Sequence, residues 1–139
     1  MAKLVLTNLR VNIEESTHQI YKDLADKGID KAEDVPFSKM PDLFLAAACL
    51  GVKEGLYKEL KIKRDIFVAD AFDHKVQLPI LIALAAKKDD FESIDDPRRI
   101  LSICECWANG GIQILYDELM IGQGLRPLYR LVDLINKNE

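Results

Sequence analysis

Histidine, cysteine and long apolar runs are scarce in this chain, and each shortage closes off a class of function. There are two histidines, His18 and His74, and three cysteines among 139 residues. An odd number of thiols fits no disulfide framework, so reduced cysteines and a cytoplasmic home are expected. Cys104-Glu105-Cys106 looks like half of a zinc site. No second cysteine or histidine pair stands at ligand spacing, so no metal is expected, and no cofactor. A nucleophilic Cys–His pair would need the fold to carry a histidine to Cys49, Cys104 or Cys106, and nothing in the sequence asks for it. Asn109-Gly110-Gly111 lacks the preceding strand and following lysine of a phosphate loop. Asp89-Asp90 and Asp95-Asp96 lack the alternating ligands of a calcium loop. The expectation is a protein that is not an enzyme.

The longest apolar run, Leu78–Ala86, has nine residues, about half of what a membrane span needs. Met1-Ala2-Lys3 leads into a mixed stretch, so no signal peptide is expected. Basic residues are in the minority. The formal net charge is −4, which argues against a protein coated in nucleic acid but leaves room for a local basic face.

What is present is a soluble composition, 49% hydrophobic and 30% charged, over a length that suits a single helical domain, 1–139. Pro41–Gly55, PDLFLAAACLGVKEG, forms the centre. Leu43, Ala47 and Leu50 share one helical stripe, with Phe44, Ala48 and Gly51 beside it. Pro41 suits a first turn, and Gly51 reads as the stop. Before it, Lys3–Leu9 alternates weakly and reads as a short strand or extended arm. Asn12 and Glu15 have capping-box spacing, which predicts a first helix over Ile13–Lys27. After it, Ile62–Phe72 is a short strand or an irregular packed segment. Lys75–Lys87 reads as a helix buried on most sides. Asp96-Pro97 is a helix start. Asn109-Gly110-Gly111 breaks that helix, Ile112–Leu119 restarts it, and Leu125–Lys137 forms the last. The fold class expected is mainly α, a compact bundle of five to six helices with a short extended N-terminal segment.

Lys53, Lys58, Lys61, Lys63 and Arg64 stand against Glu54 and Glu59, a local balance of +3 (five minus two) in an acidic chain. This run is the candidate nucleic-acid contact, although a solvated loop or edge has the same composition. Arg126 and Arg130, four apart, with Arg98 and Arg99, form either a phosphate-binding face or a salt-bridged surface with Asp117, Glu118 or Asp133.

The order of motifs resembles a known family. An F-x-x-A-A-x-x-G-x-K-x-G segment (Phe44, Ala47, Ala48, Gly51, Lys53, Gly55) precedes I-A-L-A (Ile82–Ala85). An E-x-x-A-N-G-G-I-x-I-L segment follows (Glu105, Ala108, Asn109, Gly110, Gly111, Ile112, Ile114, Leu115). This resembles the small dnd system-associated proteins encoded beside bacterial DNA phosphorothioation genes, over about Asn12–Ile135. The resemblance implies a non-enzymatic accessory protein of a DNA-modification or phage-defence system of the restriction-modification kind. Its partners would be DNA or a defence-system protein; apart from the resemblance, the apolar runs are too short for a membrane partner, and self-association into a homo-oligomer is expected. The resemblance carries no catalytic residues over. The alternative is a self-associating protein–protein adaptor with no nucleic-acid contact, which the apolar Leu78–Ala86 helix suits. The chain's start also has the strand–helix–helix order of a ribbon-helix-helix DNA binder, in which Lys3, Val5, Thr7 and Arg10 would face the bases.

Overall fold

Two helices that touch backbone to backbone hold this chain together. The computed structural model describes Leu6, residues 8–25, 39–89 and 96–120. Among them are strands β1 (Arg10–Glu14) and β2 (Lys63–Val68) and helices α1 (His18–Leu24), α2 (Met40–Glu54), α3 (Gln77–Ala86) and α4 (Pro97–Met120).

Helix α2 starts with Pro41 in its first turn and ends on Gly55, whose φ of 67° is the left-handed conformation that glycine adopts cheaply. Its Leu43, Phe44, Ala47, Ala48 and Gly51 are buried, Ala47 and Gly51 directly on α4, and α2 with α4 makes the most extensive contact among the described elements. Asp96 caps α4: its Oδ1 accepts the Arg98 and Arg99 N–H groups at 3.1 and 3.3 Å. Ile100, Ile103, Cys104, Trp107, Ile112 and Leu115 then form the buried stripe of α4. Helix α3 packs on α4 and also meets α2. There the Cys104 thiol meets the Leu81 carbonyl at 3.4 Å and the Trp107 indole N–H donates to the Leu84 carbonyl at 3.1 Å.

The strands form a two-stranded antiparallel sheet. The register pairs Val11 with Phe67 but Asn12 with Asp65, so Ile66 is an extra, bulged residue. Val11 and Ile13 are buried, and Phe67 meets Phe44 and Phe72 at ring separations of 6.0 and 5.2 Å.

This is not a bundle of five to six helices. The described residues hold four helices, 65% of them helical, and a sheet, although the chain is mainly α. Three features account for the difference. Gly110-Gly111 does not break a helix: α4 runs 24 residues through it, because both glycines sit where neighbouring backbone leaves no room for a side chain. A Cβ on Gly111 would lie 1.9 Å from the Ala47 carbonyl oxygen, and one on Gly110 would lie 1.8 Å from that of Leu56. Gly51 is likewise inside α2, not its stop. Asn12 caps no helix: it lies in β1, and its N–H donates at 2.8 Å to the Glu105 carboxylate. The first helix therefore begins at His18 rather than Ile13.

The arm expected at Lys3–Leu9 lies mostly outside the described residues, and the strand that follows it, Arg10–Glu14, pairs with β2 of the same chain. Arg10 faces Asp65 at 3.5 Å. Lys3, Val5 and Thr7, and the helix expected at Leu125–Lys137 with Arg126 and Arg130, lie outside the described residues. Arg98 and Arg99 are ion-paired, to Glu105 and Asp89 rather than to the acids of the α4 C-terminal half. Helix α3 is less covered than its composition suggested: Pro79, Ile80, Ala83 and Ala86 are exposed.

Candidate nucleic-acid interface

Between Gly55 and β2 the chain forms an irregular arm, residues 56–62, which carries Lys58 and Lys61 of the basic run, while Lys63 and Arg64 follow it as the first residues of β2. An irregular segment needs partners for its backbone polar groups. Here α4 and β1 supply them. The Lys58 N–H donates to the Cys106 carbonyl at 3.1 Å. The Asn109 side-chain amide donates to the carbonyls of Lys58 and Glu59 at 3.2 and 3.4 Å. Tyr57 packs edge-on to Trp107, with ring centroids 4.9 Å apart, and the Lys88 ammonium lies 4.5 Å above the Tyr57 ring.

The far end of the arm is held from β1. One Glu14 oxygen accepts the Lys61 N–H at 2.7 Å and the other accepts the Ile62 N–H at 2.9 Å. The Glu15 N–H donates to the Ile62 carbonyl at 2.8 Å. The Lys61 N–H, then the Ile62 N–H, holds the Glu14 carboxyl below the ordinary glutamate range. With its backbone tied on both sides, the arm exposes Lys58, Glu59, Lys61 and Ile62, while Leu56, Tyr57 and Leu60 stay half-buried.

All five cations of the run are exposed. Lys53 is in the last turn of α2, apart from the arm. Lys58 and Lys61 line an open cleft of about 730 Å³ with Ser16, Thr17, Asn109 and Gln113. Lys63 lines a second cleft, of about 230 Å³, with Tyr57, Arg99, Ser102 and Cys106. Glu59 and Leu60 border both clefts, so the arm is a ridge between them. Arg64 is partly neutralised: its guanidinium reaches the two Glu15 oxygens at 3.1 and 3.4 Å. Burial, then the Arg64 charge, lowers the pKa of nearby His18, which favours the neutral imidazole.

Glu105 lies at the floor of the second cleft, 3% exposed. It accepts the Asn12 N–H and an Arg98 N–H, both at 2.8 Å. Burial raises its pKa, and these two donors oppose the rise. Cys104 and Cys106, two apart on α4, face different surroundings. Cys104 is buried, and burial pushes its thiol well above the ordinary range. Cys106 is half-buried beside the Tyr57 hydroxyl. Among the described residues no three metal-ligating side chains come together.

The charge run thus identified the arm. It did not identify Glu14, Glu105 or Asn109, which shape the arm and the strand beside it. Glu105 and Asn109 belong to the E-x-x-A-N-G-G segment, and that motif was the available signal for both.

Among the described residues, the fold and this surface define a helical scaffold with a small sheet and a clamped arm that carries exposed cations. The chain belongs to the family of DNA sulphur modification system-associated protein 4, which it matches over residues 10–139. No curated protein and no solved structure compared with the chain matches it. Among the described residues no helix is long and apolar enough to cross a membrane.

Proposed function

We propose that this accessory protein of a DNA sulphur modification system works without catalysis, by laying its basic arm on the DNA backbone. The observation that carries the reading is the clamped arm itself. Lys58, Lys61 and Lys63 are exposed cations on a backbone tied to α4 and β1. A tied backbone loses little further freedom on binding, so more of the phosphate attraction is kept as affinity. The acidic remainder of the chain limits contact to this face. The cytoplasm, where DNA is met, is the matching location.

Fluorescence anisotropy with a labelled unmodified duplex tests it. The wild-type chain should bind on the order of micromolar at low salt. Lys58→Glu/Lys61→Glu/Lys63→Glu should weaken that by at least about tenfold. Equal binding by wild type and variant overturns the reading.

The second reading, a self-associating adaptor in a defence complex, rests on α3. Val76 is 60% and Ile80 36% exposed, one turn apart, with Pro79, Ala83 and Ala86 also open. Val76→Lys/Ile80→Lys should then convert a concentration-dependent oligomer to monomer in sedimentation. A monomeric wild type removes the self-association.

A further inference from the structure

Ile62 has the highest exposure of the large apolar side chains among the described residues, 64%. It sits at the turn into β2, with Lys61 before it and Lys63 and Arg64 after it. Its position does not come from slack in the chain. The Ile62 N–H is held by Glu14 and the Ile62 carbonyl by the Glu15 N–H. The preceding N–H is held by the other Glu14 oxygen. With these groups tied across to β1, the peptide cannot rotate to turn the side chain inward. The cations beside it open to opposite sides of the arm, Lys61 to the larger cleft and Lys63 to the smaller. An exposed branched aliphatic group with a lysine on each side in the chain suits a ligand that is both anionic and locally apolar.

We propose that Ile62, set between Lys61 and Lys63, is the contact by which this protein reads sulfur in the DNA backbone. The lysines attract the charged backbone on either side of the arm, and the Ile62 side chain packs on the sulfur of a phosphorothioate linkage. The inference rests on the DNA-contact reading above. Replacing one non-bridging phosphate oxygen by sulfur keeps the charge at −1. The new atom is larger, more polarisable and a weaker hydrogen-bond acceptor. Stripping water from a weaker acceptor costs less than from oxygen, and a larger, more polarisable atom gains more dispersion attraction against aliphatic carbon. Ammonium groups alone discriminate poorly between two backbones of equal charge, so the discriminating contact must be apolar. Ile62 is an apolar group placed among the exposed cations of the arm. The family's tie to a DNA sulphur modification system favours this occupant over an acidic, apolar segment of a partner protein.

The test compares three duplexes of one sequence, one plain and two with a single phosphorothioate, one for each diastereomer. Anisotropy is measured for the full chain and its variants, with circular dichroism confirming the fold of each. The wild type should bind one modified diastereomer about fivefold to tenfold more tightly than the plain duplex. Ile62→Ser should abolish that ratio while leaving the plain-duplex Kd within about twofold. Ile62→Leu should keep the ratio. Lys61→Glu/Lys63→Glu should weaken both duplexes together. Equal wild-type affinity for plain and modified DNA overturns the inference and leaves backbone contact standing. A preference that survives Ile62→Ser overturns it as well. Failure to bind either duplex overturns the DNA reading, and the inference with it.

Discussion

Gly51 of α2 and Trp107 of α4 meet backbone to backbone: a Cβ on Gly51 would lie 2.0 Å from the Trp107 carbonyl oxygen. Gly111 makes the reciprocal approach, against the Ala47 carbonyl and the Gly51 nitrogen. The small residues that carry the family resemblance are therefore the seam along which the two central helices touch. Larger residues there would force the helices apart and strip contacts from Leu43, Phe44 and Ile112 together.

Gly51→Ala and Gly111→Ala should each cost about 3 kcal/mol or more, at the upper end of overpacking, because the obstacle is rigid backbone. Gly55→Ala should cost only about 1 kcal/mol: its φ is 67° but nothing lies within 4 Å of the added carbon. Urea denaturation of the three variants measures this order. A Gly111→Ala midpoint equal to that of Gly55→Ala would remove the close-packed seam from the account.

Glu105 ties α4 to β1, and its removal should be costly in a specific way. Glu105→Ala leaves the Asn12 N–H and the Arg98 guanidinium short of a partner and should cost about 2–4 kcal/mol. The pH dependence has a definite sign. Burial raises the folded-state pKa above the ordinary 4.5. The folded state then holds the proton longer than the unfolded state, and this group's contribution is fully present below 4.5 and lost as pH rises through the folded value. Wild-type stability, taken relative to Glu105→Gln, should fall across that window. A flat difference between the two in pH-dependent urea melts would contradict the burial argument.

Glu14 carries the arm. Its folded-state pKa lies below the ordinary 4.5, so its hold is fully present above that value and is lost as pH falls through the lower folded value. Glu14→Ala should expose the Lys61 and Ile62 amides, with hydrogen exchange at both faster by at least about tenfold while the α2 and α4 amides stay protected. Unchanged exchange at Lys61 and Ile62 would show that the clamp does not hold the arm.

Local patterns in the sequence located the apolar stripes of α2 and α4, the start of α4 at Asp96-Pro97 and the cations of the arm. Long-range contacts overrode the patterns elsewhere. Asn12 and Glu15 have capping-box spacing, yet the Asn12 N–H is taken by a carboxylate 93 positions away. Gly110-Gly111 carries poor helix propensity, and packing against α2 overrides it. The Leu78–Ala86 run looked fit for burial on most sides, but α4 and α2 leave Pro79, Ile80, Ala83 and Ala86 exposed. At the candidate site the charge of Lys58–Arg64 was legible because charge is a local count. The partner that aims it, Glu14, lies 47 positions before Lys61, beyond the reach of any motif.

The most direct test of the account is the salt dependence of duplex binding, for the wild type and for Lys61→Gln/Lys63→Gln. Each phosphate-contacting lysine releases counterions, so log Kd should rise linearly with log salt concentration. The variant's slope should be shallower by about two, one for each lysine lost. The same slope in both proteins, or binding indifferent to salt, would mean that the arm does not lie on the DNA backbone.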